Sequence, residues 1–154
     1  MKLNTLIATG FGLGYSPIAS GTTGSLPGLL IVIAMAELGL ALQIALALVL
    51  SIVAIPICSA AEGVFGKKDD GRIVADEYLT FPLCTLGLPW ISHPWLLAVA
   101  FVTNRVMDII KPPPARQAQN LSGGLGIVLD DVASSLYALA LNHIFWWAWV
   151  NWVM

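Results

Sequence analysis

The stretch LALQIALALVLSIVAIPICSAA, Leu40 to Ala61, decides the fold class. It carries no formal charge, and as a helix rising 1.5 Å per residue it would measure about 33 Å, enough to cross a hydrocarbon core of about 30 Å. Its Leu, Ala and Ile residues do not alternate with period two, so a barrel strand is excluded. In hydrocarbon every backbone N–H and C=O must be paired within the protein, which leaves helix as the remaining choice. Pro56 removes one backbone donor and predicts a kink.

The same absence of charge extends outward in both directions. Between Lys2 and Glu62 the only charged residue is Glu37, between Glu77 and Arg105 there is none, and none follows Asp131. The 154-residue chain is 58% hydrophobic and 10% charged, whereas soluble domains devote about a quarter of their residues to charge. Seven Lys and Arg and nine Asp and Glu make sixteen charged side chains, and fourteen of these fall in Glu62–Glu77, Arg105–Arg116 and Asp130–Asp131. This is the pattern of an all-α, polytopic membrane protein whose chemistry is gathered at one water-facing surface. No linker, repeat or low-complexity tract divides it, so residues 1–154 are read as one domain. Met1 to Gly14 lacks the features of a removable signal peptide. Cys58 and Cys84 lie in apolar stretches without CxxC spacing, and neither opens a Cys-x5-Arg phosphatase loop, since Val64 and Trp90 stand at the Arg position. They read as buried thiols.

Five helical passes are expected, some of them short. The first begins after Gly24 or Ser25 and ends near Glu37 to Gly39; the second is Leu40 to Ala61. A polar segment, Glu62 to Glu77, leads to a hairpin whose arms are Tyr78 to Leu88 and Trp95 to Ile110. Pro112, Pro113 and Pro114 stop the second arm. Gly123-Gly124-Leu125-Gly126 reads as a flexible loop, after which Asp130 or Asp131 caps a last helix reaching about Val150. With the N-terminus inside, all seven Lys and Arg fall on the inner side, as the positive-inside rule requires. Trp146, Trp147, Trp149 and Trp152 then form an aromatic belt on the outer side with Trp90 and Trp95.

The acids carry the functional information. Asp76, Glu77, Asp108, Asp130 and Asp131 lie at the expected inner boundary, where ionised side chains are costly unless paired or functional. Five carboxylates facing few cations suit a hard divalent ion such as Mg2+, which takes oxygen ligands and is commonly shared with substrate phosphate. His93 and His143 are placed toward the opposite face, which argues against zinc. Arg105, Asp108 and Lys111 recur every three residues along one helix side, and Arg116 follows the prolines; Arg and Lys are the phosphate-binding side chains. An Arg105–Asp108 pair that only neutralises itself is an equally open reading of the same spacing. The Gly- and Ser-rich run from Gly10 to Ser25, with Gly21, Thr22, Thr23 and Ser25 before an apolar helix, offers backbone donors to a phosphate oxygen or is simply a helix lead-in. Together these residues point to phosphoester chemistry on a lipid.

Four strings, Gly10-Phe11-Gly12 through Ser16-Pro17 to Gly21-Thr22-Thr23-Gly24-Ser25, Ile73-Val74-Ala75-Asp76-Glu77, Arg105 to Pro114, and Gly123 to Asp131, closely resemble the phosphatidylglycerophosphatase A family, in the family's order and over nearly the whole chain. The resemblance implies a Mg2+-dependent phosphatase of the bacterial inner membrane, facing the cytoplasm, that converts phosphatidylglycerophosphate to phosphatidylglycerol for phospholipid biosynthesis. It implies a lipid and bilayer partnership, with no nucleic acid, and leaves oligomeric state open. By position Asp76 and Glu77 match the family's Asp-Glu pair, Arg105, Asp108 and Lys111 its Arg-x2-Asp-x2-Lys-Pro motif, and Asp130 and Asp131 its closing Asp-Asp. With the residue chemistry above, catalysis is expected at Asp76, Glu77, Asp108 and Asp131, metal binding at these together with Asp130, and phosphate binding at Arg105, Lys111, Arg116, Gly21, Thr22, Thr23 and Ser25. The chain departs from the family pattern at Thr80, Gln119, Ser134 and Ser135.

The expected mechanism is in-line attack of a metal-activated water, with an aspartyl-phosphate intermediate as the rival chemistry. Two other functions compete. A small ion-coupled transporter would need polar groups deep in the bilayer, where Gln43, Ser51 and Thr85 make a sparse pathway. A non-catalytic subunit would use Lys67-Lys68-Asp69-Asp70 as a solvated docking loop, but has no use for surplus acids.

Overall fold

The computed structural model describes residues 3–153, and among these there is no strand. Two helices, α4 (Leu40–Phe65) and α8 (Gly124–Trp152), are long and apolar enough to cross a membrane. In α4 only 17% of the most apolar window is buried inside the protein, so its Leu and Ile side chains point outward, the reverse of a soluble core helix. Gly39 precedes α4, which begins at Leu40 as expected, continues through Pro56, and closes at Gly66 with φ 65°. It runs four residues beyond the expected Ala61, which places Glu62 on the last helical turn.

Three sequence expectations are corrected. First, Gly123 to Gly126 is not a flexible loop ahead of a helix capped by Asp130 or Asp131: α8 begins at Gly124, and both acids lie about two turns inside it. The reason is close packing. A Cβ on Gly124 would lie 2.1 Å from the Ile55 carbonyl oxygen, and the Gly124 N–H donates to Ser59 Oγ at 2.8 Å, so the glycine marks where α8 meets α4. Second, the first hairpin arm is the short helix α5 (Ala75–Thr80) followed by a 3-10 turn, Phe81–Thr85. It starts three residues early, taking Asp76 and Glu77 out of the polar segment; Phe81 and Leu83 are buried, and so is Cys84, as its apolar setting led one to expect. Thr80 and Thr85 turn their hydroxyls back onto the carbonyls of Asp76 and Pro82, and enclosure by protein lets so short an element persist. Third, Gly10 to Ser25 is not an open loop. A 3-10 segment (Gly10–Tyr15) and α2 (Ser20–Gly24) follow α1 (Leu3–Ala8). Cβ atoms on Gly14 and Gly24 would meet the Arg72 carbonyl oxygen at 2.1 Å and Val74 Cβ at 2.4 Å. Those glycines therefore serve contact with Arg72–Val74.

The remaining elements follow the sequence more closely. α3 (Leu26–Ala34) starts where expected and ends a few residues short, and α6 (Trp95–Ile110) has the predicted bounds. Lys111 ends α6 in the left-handed region at φ 51°, and α7 (Ala115–Ala118) is a single turn after the prolines. α6 and α8 pack lengthwise. At one end Trp95 and Trp149 have ring centroids 5.0 Å apart; at the other, Lys111 pairs with Asp130. Between them lies a buried polar network unforeseen from sequence. Thr103 Oγ1 donates to Asn142 Oδ1 at 2.7 Å, Asn142 Nδ2 to the Cys84 carbonyl at 2.9 Å, and Ser135 Oγ to Asn104 Oδ1 at 3.0 Å. These bonds join α6, α8 and the 3-10 turn, as polar side chains commonly do between membrane helices.

Gly124→Ala is expected to lower unfolding stability in detergent by about 1–3 kcal/mol, the cost of forcing atoms into a filled contact; an unchanged melting temperature would contradict the close α4–α8 contact.

Candidate active site

Three helices, α5, α6 and α8, place charged side chains at the end of the molecule opposite the tryptophans. α6 supplies Arg105 and Asp108, one turn apart, and Lys111 at its cap. Arg105 Nη1 donates to Glu77 Oε2 of α5 at 2.9 Å and to Ser25 Oγ, at the head of α3, at 3.2 Å. Its other terminal nitrogen, Nη2, lies 3.0 Å from Asp108 Oδ2. Lys111 Nζ is 3.8 Å from Asp108 Oδ1 and also pairs with Asp130 of α8. The result is a continuous chain of alternating charge, Glu77, Arg105, Asp108, Lys111 and Asp130. The Arg105–Asp108 pair that the spacing left ambiguous exists, but as one link in this chain. Glu77, Arg105 and Asp108 side chains are each 13% exposed, so the links are held away from bulk water.

Gly21 fits against this chain because it has no side chain: a Cβ would stand 2.5 Å from both Arg105 Nη2 and Glu77 Oε1. Asp76 of α5 and Asp131 of α8 form a second group, both buried and each bearing electrostatically on the other. Two buried like charges in one site favour a shared proton or a shared cation. Asp76 Oδ1, Asp130 Oδ1 and Arg105 Nε are buried with no hydrogen-bond partner. A buried polar atom without a partner is costly, and two of these are anionic oxygens, the donor type Mg2+ selects. No three potential ligands are already gathered as a metal centre among the described residues. Arg105 and Lys111 instead occupy oxygens of Glu77, Asp108 and Asp130. The acids offer the oxygen donors a hard cation takes, but among the described residues they are not gathered around one point, and several are turned toward the basic side chains.

Three residues expected at a phosphate are not brought to this group. Arg116 is exposed on α7 and makes no ion pair among the described residues. Thr23 Oγ1 faces the carbonyls of Leu13, Ala19 and Ser20, and Thr22 makes no side-chain hydrogen bond to the cluster among the described residues. Conversely, the loop read as solvated holds two acids that do different things. The Asp69 carboxylate lies near enough to bear electrostatically on Asp76 and Asp130. Its backbone sits in the left-handed region at φ 49°, and its N–H donates to Glu62 Oε1 at 3.2 Å. The Asp-Asp-Gly turn hid it, because either Asp suits a turn. Asp70 braces the loop instead. Arg72 Nε and Nη2 grip its two oxygens at 2.7 and 2.9 Å, which holds its carboxyl down at about 2. Arg72 also stacks over Phe65 at 4.0 Å.

The family model described as Phosphatidylglycerophosphatase A matches residues 6–146. The chain is 35% identical over 136 residues to phosphatidylglycerophosphatase A of Haemophilus influenzae, covering 87% of this chain and 83% of that protein. It is 31% identical over 145 residues to the Escherichia coli protein of the same name, covering 94% and 84%. A Bacteroides thetaiotaomicron protein with the provisional name phosphatidylinositol-3-phosphatase is 34% identical over 154 residues, covering 94% of each. No solved structure matches.

Two outcomes follow from this geometry. Gly21→Ala, which would drive a methyl into the Arg105–Glu77 contact, is expected to cut turnover about tenfold to a hundredfold with the fold retained, since small misplacements of a reacting site carry that cost; wild-type rates would show that the contact is not needed. The Asp70–Arg72 link has a depressed folded-state pKa, so its contribution is full above the ordinary carboxylate value of about 4 and is lost as pH falls through about 2. Asp70→Asn should therefore cost up to about 1 kcal/mol at pH 7 and flatten that acid limb of a melting-temperature profile.

Proposed function

The chain belongs to the phosphatidylglycerophosphatase A family and is a phosphoric monoester hydrolase, and from that premise we propose that it hydrolyses phosphatidylglycerophosphate to phosphatidylglycerol and inorganic phosphate, a step of phospholipid biosynthesis. The observation that carries this reading is the alternating charge chain from Glu77 to Asp130, assembled from α5, α6 and α8 at one end of the protein. A scaffold or docking subunit has no need to bury such a chain. A transporter needs a polar path, whereas the deep polar groups Thr103, Asn104, Ser135 and Asn142 are bonded to one another.

The protein is proposed to be a multi-pass protein of the bacterial inner membrane with its charged end toward the cytoplasm. The passes are α3, α4, α5 with its 3-10 turn, α6 and α8. Helix lengths support this placement. The uncharged stretch Val132 to Trp152 measures about 31 Å and Leu40 to Ala61 about 33 Å, each matching a hydrocarbon core of about 30 Å. Asp131 and Glu62, the first acids beyond these stretches, then reach the same surface.

Mg2+, held by Asp76, Asp131 and Asp130 with Glu77 or Asp108, would supply charge neutralisation at the phosphate and a bound water of lowered pKa. The chain's own residues do the rest. Arg105 presents a planar fork and Lys111 a point charge to the phosphate oxygens, where charge spreads as the bond to the leaving oxygen lengthens. Gly21 and Ser25 bring α2 and α3 against Arg105 and fix its direction. The attacking water's oxygen bonds to phosphorus, its proton passes to a site carboxylate, and the P–O bond to the glycerol oxygen breaks as that oxygen is protonated. The Bacteroides relative's name raises a second reading, in which the monoester is carried on an inositol ring.

Phosphate release from purified protein, assayed side by side on phosphatidylglycerophosphate and phosphatidylinositol 3-phosphate, separates the two readings. The first substrate is expected to be preferred, with activity lost on chelation and restored by Mg2+. Release from the inositol lipid alone would overturn the substrate, and undiminished release under chelator would overturn the metal. Asp76→Asn and Asp131→Asn should each lower kcat by at least about a hundredfold while leaving the protein folded; normal rates in both would remove these residues from the site.

A further inference from the structure

The cleft between α3 and α6 begins where the charge chain ends. Ser25 and Arg105, hydrogen-bonded at 3.2 Å, stand at the head of its two walls. Below them the walls descend in register, every fourth residue facing inward: Ser25, Leu29 and Ile33 along α3, and Arg105, Phe101 and Leu97 along α6. Leu29, Ile33, Leu97, Ala98, Phe101 and Val102 enclose about 370 Å³ with no polar side chain. Eight residues of α6, from Arg105 to Leu97, descend about 12 Å. Phe101 is braced by Phe81, ring centroids 6.0 Å apart, so the floor is fixed, while Ile33 and Val102 are 52% and 59% exposed and leave the side open. A larger groove of about 510 Å³ between α6 and α8 is lined by Val99, Val106, Leu141 and Phe145 among others, and its lining includes no charged side chain.

We propose that the α3–α6 groove seats one acyl chain of the phospholipid substrate, fixing the depth at which the headgroup phosphate meets Arg105. The inference rests on the lipid-phosphatase reading above and adds to it a binding site for the tail. Its basis is continuity. A fully apolar channel, open sideways toward the membrane, is headed at one end by a cation and a hydroxyl of the catalytic cluster, as an amphiphile with an anionic terminus requires. Preference for one tail position also explains how an active site of few residues holds a mobile lipid still, since remote binding energy can be used for orientation at the reacting centre.

The test compares two substrates. Ile33→Trp fills the distal end of the groove at an exposed position two turns from the charged cluster. It is expected to lower kcat/KM about tenfold on diacyl phosphatidylglycerophosphate in mixed micelles, the scale on which a hydrophobic pocket discriminates. On the deacylated headgroup compound, glycerophosphoglycerophosphate, its kcat/KM should be unchanged, which also reports an intact fold. Leu141→Trp, in the α6–α8 groove, should leave both substrates unaffected. Equal loss on the two compounds, or no loss on either, would overturn the groove. A turnover-independent arm uses phosphatidylglycerol with a photoreactive tail. Crosslinks concentrated on the Leu29–Ile33 and Leu97–Val102 peptides sustain the assignment, and crosslinks spread equally over α4 sink it. Failure of the unmodified protein to act on either phosphomonoester would count against the substrate assignment, and the crosslinking pattern would still decide the groove.

Discussion

Arg105 is the residue on which the arrangement turns. One guanidinium joins Ser25 at the head of α3, Glu77 of α5 and Asp108 of its own helix. Two short elements are thereby pinned to α6. In a medium that excludes water, a lone guanidinium or a lone carboxylate is expensive, and pairing them with good geometry offsets much of that cost. The planar fork matters here because its two terminal nitrogens face different acids at once, something an ammonium group does less rigidly. Lys111 extends the same logic to α8 through Asp130. Electrostatics thus defines one end of the protein, and aromatic packing around Trp95 and Trp149 the other.

Much of this was legible in the sequence, and for identifiable reasons. The bounds of α6 and the starts of α3 and α4 follow from where uncharged runs meet Gly, Pro or charge, signals that operate over a few residues. The acids and bases at one end were legible from their clustering. What the sequence concealed was contact at a distance. Gly124 reads as part of a flexible loop until Ile55 is seen pressed against it. Likewise Gly14 and Gly24 belong to a run that reads either as phosphate donors or as a helix lead-in until Arg72 and Val74 are found to fill the space beside them. Glycine marks both flexibility and intimacy, and only the partner's position tells which.

The polar residues divided along the same line. Asn142 and Thr103 look like isolated interruptions in apolar helices, and their pairing across 39 residues of sequence is a tertiary fact. Thr80, one of the positions read as a departure from the family pattern, is buried and folds its hydroxyl back onto its own helix at 2.7 Å. Asp69 and Asp70 illustrate the opposite case, two identical neighbours of which one braces a loop through Arg72 and the other bears on the buried acids.

The self-neutralising character of the cluster has a thermodynamic consequence. Both cations of the cluster are already paired with acids, so a phosphate that takes the terminal nitrogens of Arg105 or the Lys111 ammonium competes with a carboxylate, and its net affinity at those atoms is the difference between two ion pairs rather than the gain of one. A doubly charged monoester can win such an exchange where a singly charged diester cannot. On the proposed reaction the lipid substrate carries the first kind of group and the lipid product only the second, so competition from the protein's own acids would favour release of phosphatidylglycerol. Inorganic phosphate, the doubly charged co-product, meets the same competition with no lipid tail to hold it.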